Sequence, residues 1–207
     1  MIKYYIRTKL ERKLDESVGR ELGEKYTLLV DYEHKPVESF IKQLEIISEY
    51  DSVLLEDDVI LCKDFKSRIE EVIKEYPDMI INFFTLPSNY FTTHITDTPF
   101  KFNQCTYYPK GISKLIAKGM KTKVKYHNCG YDLIEGWVIR ELNISYVLPR
   151  PCLVQHIDSK SLISKSSERR SPYFIDYLDE LNIEYNDARK PENKARLIAL
   201  MKEKFKN

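Results

Sequence analysis

The stretch Val53-Leu54-Leu55-Glu56-Asp57-Asp58-Val59 decides the fold, because an apolar run ends abruptly in three consecutive acids. Val53 to Leu55 has the β-branched and apolar composition of a buried strand. We therefore predict a strand over Ser52–Leu55, with charged side chains immediately beyond its carboxyl end.

The residues before this stretch alternate between strand and helix patterns. Ile2–Thr8 and Tyr26–Val30 favour strands, since both are rich in β-branched, aromatic or other apolar residues. Leu10–Leu22 has an apolar residue at every fourth position, which predicts a helix, and a second helix begins at Pro36. Strands that alternate with helices predict a parallel sheet with right-handed crossovers, whose ligands bind beyond the carboxyl ends of the strands.

The rest of the chain continues the pattern. Helices are predicted over Phe65–Tyr76, Gly111–Gly119, Gly130–Leu142, Tyr173–Leu181 and Pro191–Phe205, and strands over Met79–Phe84, Gln104–Tyr108, Ser145–Leu148 and Leu153–His156. Asp64 is expected to cap the first of these helices, and Trp137 to lie in the core. The fold class is therefore α/β, with a mixed, mainly parallel sheet flanked by helices. We expect one domain over residues 1–158, then a flexible lid loop and C-terminal helices over 159–207.

Composition excludes several classes of function. The 33 basic and 32 acidic residues nearly cancel, so no overall basic excess favours a nucleic-acid partner. No apolar stretch approaches the roughly 20 residues of a membrane span, and the N-terminus lacks a signal-peptide pattern. The four cysteines lack the spacing of a zinc site and are expected to be reduced packing residues. We expect a cytoplasmic protein.

The acidic triplet is the sharpest chemical feature. Three neighbouring carboxylates repel one another unless a cation lies among them. Carboxylate and imidazole ligands with water suit Mg²⁺ or Mn²⁺, which can bind a diphosphate and neutralise charge on a departing nucleotide. The alternative is a solvated turn that leads into the next helix.

Three motifs resemble those of a known family. Leu55-Glu56-Asp57-Asp58-Val59 resembles the metal-binding "DXD" variant of GT-A glycosyltransferases, written Glu-Asp-Asp in the N-acetylglucosaminyltransferases. Leu153–Leu162 is similar to a Gln-His segment of N-acetylglucosaminyltransferase IV type and related bacterial and viral enzymes. Between them, Gly130-Tyr131-Asp132-Leu133 stands where that family has an acidic catalytic residue at a helix start. The resemblance covers about residues 1 to 165.

The resemblance implies a GT-A fold and an inverting, metal-dependent transfer from a nucleotide-sugar donor, expected to be a UDP-sugar. Asp158 stands where the family has glycine. The chain is also short for the eukaryotic branch, which favours a bacterial or phage enzyme. The acceptor stays open between a glycan, a protein and a hydroxymethylated DNA base of the phage type.

The resemblance also implies roles for the residues of these motifs. Asp58 would ligate Mn²⁺ or Mg²⁺, and His156 would be a second ligand or a diphosphate contact. Asp57 would contact the ribose or a water on the metal, and Glu56 would orient the loop. The alternative to a role in binding is that His156 is an ordinary structural histidine.

Other candidates lie at strand ends and a helix start. Asp132 is the candidate general base that takes the proton of the acceptor hydroxyl, with Glu135 as the fallback. Its alternative is an acid that merely favours the helix N-terminus. By resemblance, Arg7 and Asp31 would line the nucleobase and ribose pocket, although Arg7 has an alternative as a surface residue.

Four cations of the polar segment Ser159–Ser171 would close over the donor diphosphate: Lys160, Lys165, Arg169 and Arg170. A solvated loop is the equal alternative.

Two rival functions remain. A nucleotidyltransferase normally needs a glycine- and lysine-rich phosphate loop near the first strand, and Arg7-Thr8-Lys9-Leu10 lacks those glycines. The other rival is a transferase-like domain that binds a ligand without catalysis.

Overall fold

The computed structural model describes residues 1–9, 12–33, 35–84, 100, 103–126, 130–157 and 170–205. Within them, the strands are β1 (Lys3–Thr8), β2 (Thr27–Val30), β3 (Ser52–Glu56), β4 (Val59–Leu61), β5 (Ile80–Asn82), β6 (Cys105–Tyr108), β7 (Tyr146–Val147) and β8 (Val154–His156). The α-helices are α1 (Glu16–Leu22), α2 (Pro36–Ile46), α3 (Phe65–Glu75), α4 (Ile112–Lys121), α5 (Tyr131–Glu141), α6 (Ile175–Leu181) and α7 (Pro191–Lys204).

The central sheet has the strand order β2-β1-β3-β6-β5-β7. The pairs β1–β2, β1–β3 and β5–β7 are parallel, and only β6 runs antiparallel to both its neighbours. The predicted fold class, a mixed and mainly parallel sheet flanked by helices, is confirmed. A separate antiparallel pair joins β4 to β8.

Alternate strand residues face opposite sides of the sheet, as the period of two requires. Ile6 and Leu55 belong to a core shared with α1, α3 and the C-terminal helices, whereas Leu54 belongs to a second core under α2, α4 and α5. Leu197 of α7 is fully buried in the first core. The domain boundary after residue 158 stays a prediction.

Two local predictions are wrong. The helix expected over Leu10–Leu22 begins only at Glu16, because the Asp15 backbone is extended and its carboxylate accepts a hydrogen bond from the Ser17 amide (2.8 Å). Asp64 precedes α3 in a left-handed conformation, and its side chain makes no capping hydrogen bond. The Phe65 amide instead donates to Glu21 Oε2 (3.1 Å).

Trp137 is a third correction, since 39% of the residue is exposed. Helix α5 buries Ile134, Val138 and Ile139, and the apolar stripe in the sequence is wider than the face that packs.

The strand β4 was not expected, because only three residues separate the acids from the next loop. None of the helices that the described residues form combines the length and the apolar composition of a bilayer span.

Candidate active site

The carboxyl ends of β1, β2 and β3 lie side by side. Parallel pairing places Arg7 opposite Glu56 and Thr8 opposite Val30, and the Asp31 amide donates to the Thr8 carbonyl (3.0 Å). Beyond these ends opens a cleft of about 340 Å³. Its lining includes the predicted site residues Arg7, Asp31, Glu56, Asp57, Asp58, Asp132 and His156.

Asp57 is held by three donors from the end of β1 and the loop that follows it. Its Oδ2 accepts from the Thr8 hydroxyl (2.8 Å) and the Lys9 amide (3.2 Å), and its Oδ1 accepts from Arg12 Nη1 (2.7 Å). The residue is only 6% exposed. Asp57 is therefore a buried anchor that fixes the loop after β1 against the end of β3, and the solvated-turn alternative does not describe it.

Asp58 lies between two cationic or titratable groups. Arg12 Nη1 donates to its Oδ2 (2.8 Å), and His156 Nε2 lies 3.5 Å from the same oxygen. Burial opposes ionisation of this carboxyl, but the hydrogen bond and charge of His156, together with Arg12, outweigh it and lower the pKa of Asp58. Its other oxygen, Oδ1, is buried and has no hydrogen-bond partner among the described residues.

The β4–β8 pair brings His156 to the acids. Val59 lies opposite His156 in this ladder, and the Ile157 amide donates to the Asp58 carbonyl (2.8 Å). The two motifs are almost a hundred residues apart in sequence and meet through this short antiparallel contact. The backbone of the Gln-His segment is thus fixed against the residue that follows the acidic triplet.

Gln155 has a structural part in this arrangement. Its Nε2 donates to the Ser171 carbonyl (2.8 Å), and its Oε1 accepts from the amides of Ser171 (2.9 Å) and His156 (3.1 Å). The side chain is completely buried. Gln155 therefore ties the backbone at Ser171 to the strand that ends in His156.

Arg7 is mostly buried, with 11% of its side chain exposed. Its guanidinium carbon lies 3.9 Å from the ring centroid of Tyr131 and 4.9 Å from that of Phe40, and Nη1 is 3.5 Å from Glu56 Oε1. The Tyr131 hydroxyl donates to the same Glu56 oxygen. Burial, and next the charge of Asp58, raise the pKa of Glu56 to about 7, although Arg7 opposes the shift.

Helix α5 presents Asp132 from its first turn to the cleft. The Asp132 Oδ1 accepts from the Leu133 amide (3.0 Å). A methyl group at Gly130 would come within 2.5 Å of this oxygen, so the glycine leaves space for the carboxylate.

Glu135, the fallback base, lies deeper. It is fully buried and accepts hydrogen bonds from the Tyr108 hydroxyl (2.6 Å) and from Asn103 Nδ2 (2.8 Å). Burial is the main cause that raises the pKa of this carboxyl to about 8. Glu135 does not line the cleft, whereas Asn103, which it holds, does.

The remaining predicted site residues lie partly within the described residues and partly outside them. Asp31 is 8% exposed and lines the cleft. Lys160, Lys165 and Arg169 lie outside the described residues. The Arg170 guanidinium stacks on the Phe205 ring, 3.9 Å from its centroid.

Three residues of the cleft lining were not predicted from the sequence: Arg12, Thr8 and Lys9. Thr8 and Lys9 precede the helix predicted over Leu10–Leu22, and the apolar spacing of that stretch assigned Arg12 to the helix. A useful signal was nevertheless present: two basic residues, Arg12 and Lys13, follow the first strand closely and precede the good N-cap Asp15.

The sequence matches no protein-family model, and no curated protein is significantly similar to it. Five chains among the solved structures match its fold. One is CTP:phosphocholine cytidylyltransferase from Streptococcus pneumoniae, with 11% identity, a TM-score of 0.43, and coverage of 77% of this chain and 94% of that chain.

Another is a protein from Bacillus anthracis described as a glucose-1-phosphate thymidylyltransferase, with sucrose bound. It has 13% identity, a TM-score of 0.40, and coverage of 73% of this chain and 69% of that one. Both are nucleotidyltransferases with Rossmann-like folds, and neither supports the resemblance to N-acetylglucosaminyltransferases. Likeness at this level does not assign an activity.

Proposed function

We propose that this protein is a metal-dependent, inverting glycosyltransferase that takes its sugar from a nucleotide-sugar donor, expected to be a UDP-sugar. One observation carries the proposal: three sequence motifs that are far apart in the chain, represented by Asp58, Asp132 and His156, line the same cleft at the carboxyl ends of the strands. Ligands of open α/β sheets bind at such a position.

The residues present fit a divalent cation. Asp58 and His156 offer a carboxylate and an imidazole next to each other, and Asp58 Oδ1 is a buried acceptor without a hydrogen-bond partner among the described residues. No three His, Cys, Asp or Glu side chains of the described ranges form a complete metal cluster. Two protein ligands suit Mg²⁺ or Mn²⁺, which usually complete their coordination with water and substrate phosphates. When bound, the ion would neutralise charge on the departing diphosphate.

The donor would occupy the cleft with its nucleoside toward β1 and β2. Asp31 would accept a hydrogen bond from a uracil N–H, and Arg7 is positioned by its contacts with the rings of Phe40 and Tyr131. Asp57 would act through the loop that it anchors and by contact with the ribose. Glu56 would orient Arg7 and Tyr131, both of which contact its carboxylate.

Asp132 would supply the base. It takes the proton from the acceptor hydroxyl while that oxygen forms a bond to the anomeric carbon, and the bond from this carbon to the diphosphate oxygen breaks. Nucleoside diphosphate leaves, and the anomeric configuration inverts. The acceptor candidates are a glycan, a protein and a hydroxymethylated base of DNA. Lys160, Lys165 and Arg169 remain candidates for donor binding from outside the described residues.

A nucleotidyltransferase is the second candidate. Lys9 and Arg12 both line the cleft directly after β1, where such an enzyme binds a nucleoside triphosphate, and this position favours the alternative. The missing glycines in the loop count against it. A domain that binds without catalysis is the third possibility, and the measurement below tests all three.

The test is a screen of UDP-, GDP-, CMP- and dTDP-sugars for slow hydrolysis, with and without Mn²⁺. A glycosyltransferase is expected, in the presence of the metal, to release nucleoside diphosphate from one UDP-, GDP- or dTDP-sugar, or CMP from a CMP-sugar. A parallel screen of nucleoside triphosphates with sugar 1-phosphates would detect pyrophosphate if the protein is a nucleotidyltransferase. Binding of a donor without either product indicates a binding domain, and equal donor affinity with and without Mn²⁺ contradicts the metal assignment.

A further inference from the structure

Arg12 occupies the space between the two aspartates of the acidic triplet. A single nitrogen, Nη1, donates to Asp57 Oδ1 at 2.7 Å and to Asp58 Oδ2 at 2.8 Å. The arginine side chain retains 24% exposure, and its backbone lies in the loop between β1 and α1, where the Arg12 amide donates to the Lys9 carbonyl (3.0 Å). The guanidinium can therefore reach solvent without disturbing a helix or a strand.

The charges around this nitrogen are nearly balanced. Glu56, Asp57 and Asp58 are three acids, and the guanidiniums of Arg7 and Arg12 face them. An ion held by Asp58 and His156 would need the aspartate that Arg12 already contacts. Two cations on one carboxylate repel each other strongly at partly buried sites, so the guanidinium and a divalent ion compete.

Resting on the function proposed above, we propose that Arg12 is an internal counter-ion that the divalent cation displaces, and that the displaced guanidinium then binds the donor diphosphate. Arginine is suited to both positions, because its planar group donates equally well to carboxylate and phosphate oxygens. The metal alone must remove Arg12 from its partners and provides no new ones. The metal together with a nucleoside diphosphate provides new partners, so each ligand strengthens the binding of the other.

The displacement predicts changes of opposite sign in one variant. In Arg12→Gln the metal has no internal cation to displace. Its affinity for Mn²⁺ alone should therefore be about 10-fold tighter than that of the wild type, as measured by titration with MnCl₂ in which electron paramagnetic resonance detects the free ion. UDP titrated at saturating MnCl₂ should bind about 10-fold more weakly, because a charge-assisted contact with the diphosphate is lost. A purely structural Arg12 would weaken both affinities together.

The matched control is Arg20→Gln. Arg20 is an exposed arginine of α1 that pairs with Glu21, and its loss should leave both affinities unchanged. Arg12→Lys gives a second measurement, and decides the matter if Arg12→Gln does not fold. Lysine keeps the charge but lacks the guanidinium fork, so it should release the acids more readily and bind Mn²⁺ more tightly than the wild type, by less than the glutamine variant.

The inference and the proposed function can fail separately. Mn²⁺ affinity that is unchanged or weaker in Arg12→Gln, or in Arg12→Lys where the first does not fold, overturns the displacement of Arg12 whatever the enzyme does. Tighter Mn²⁺ binding in the variant, with no binding of UDP to either protein, supports the competition at the acids but overturns the transfer of Arg12 to a UDP diphosphate and the choice of UDP as donor nucleotide.

Discussion

The acids after β3 and the acids of α5 have different partners. Asp57 and Asp58 face Arg12 and, for Asp58, His156, so their partners are charged or can become charged. Glu135 is buried among neutral donors, the Tyr108 hydroxyl and the Asn103 amide. The first environment favours the ionised form and lowers the pKa of Asp58, whereas the second raises the pKa of Glu135 to about 8.

Carboxyl groups at the cleft and just behind it therefore receive their chemical function from their partners. A carboxylate kept ionised by exchangeable cations suits a metal and a diphosphate. A carboxyl buried among neutral groups suits a fixed network, and Glu135 holds Asn103 at the cleft lining. Asp132 belongs to the same helix as Glu135 but lines the cleft, so the two acids of α5 should respond differently to substitution.

The largest effect is expected at Asp132. Asp132→Asn keeps the shape but removes the proton acceptor, so turnover should fall by roughly 10²- to 10⁴-fold while donor affinity changes little. The measurement is steady-state kinetics with the donor found in the screen. Glu141→Gln, at the exposed end of the same helix, is the control and should retain the wild-type rate. A rate near wild type in Asp132→Asn would assign this acid to the helix N-terminus alone.

The next effect is expected at Asp58. Asp58→Asn removes a charged metal ligand, so UDP affinity at saturating Mn²⁺ should fall by about 100-fold, measured by calorimetry. The free energy of unfolding should fall modestly, since the fold stabilises the ionised carboxylate of Asp58 through Arg12 and His156 and the neutral amide loses that charge. Asp64→Asn is the matched control, because it changes an exposed acid after the neighbouring strand β4. Unchanged UDP affinity in Asp58→Asn would contradict the metal assignment.

A stability effect is expected at Glu135. The pKa of this carboxyl is about 8 in the folded chain and 4.5 without the fold, so the folded state holds the proton more tightly. Its stabilising contribution is complete below pH 4.5 and is lost as the pH rises toward 8. The wild type should lose up to about 1.4 kcal/mol of unfolding free energy per pH unit within this window.

Glu135→Gln resembles the protonated carboxyl and should flatten this dependence, as urea unfolding at several pH values would measure. Glu56, whose pKa is raised to about 7, adds a slope of the same sign that persists in the variant. A pH dependence equal to that of the wild type would show that Glu135 keeps an ordinary pKa.

The smallest effect is expected at Arg7. Arg7→Lys keeps the charge beside Glu56 but loses the planar contact with Phe40 and Tyr131, at a cost of about 1 kcal/mol in the free energy of unfolding. Arg20→Lys, which changes an exposed arginine, should stay within about 0.5 kcal/mol of the wild type in the same urea titration. Equal stability of the two variants would mean that the stack contributes nothing to folding.

Much of the framework was predictable from local patterns. The strand that ends at the acids, the parallel order of the first strands and the helix that begins near Gly130 all follow from apolar periodicity and from residues that begin or end helices. These signals are local, because a helix or strand must show its buried face within a few residues. A local signal also misplaced the start of α1. The apolar stripe over Leu10–Leu22 begins before Asp15, the residue that caps the helix.

The sequence by itself determined that acids would stand at the carboxyl end of a central strand, since that depends only on the order of residues. The tertiary structure alone decided their partners. Arg12 reaches Asp57 and Asp58 across more than forty positions, and His156 reaches Asp58 only through the β4–β8 ladder. Such contacts depend on the path of the chain between distant segments, and periodicity carries no information about that path.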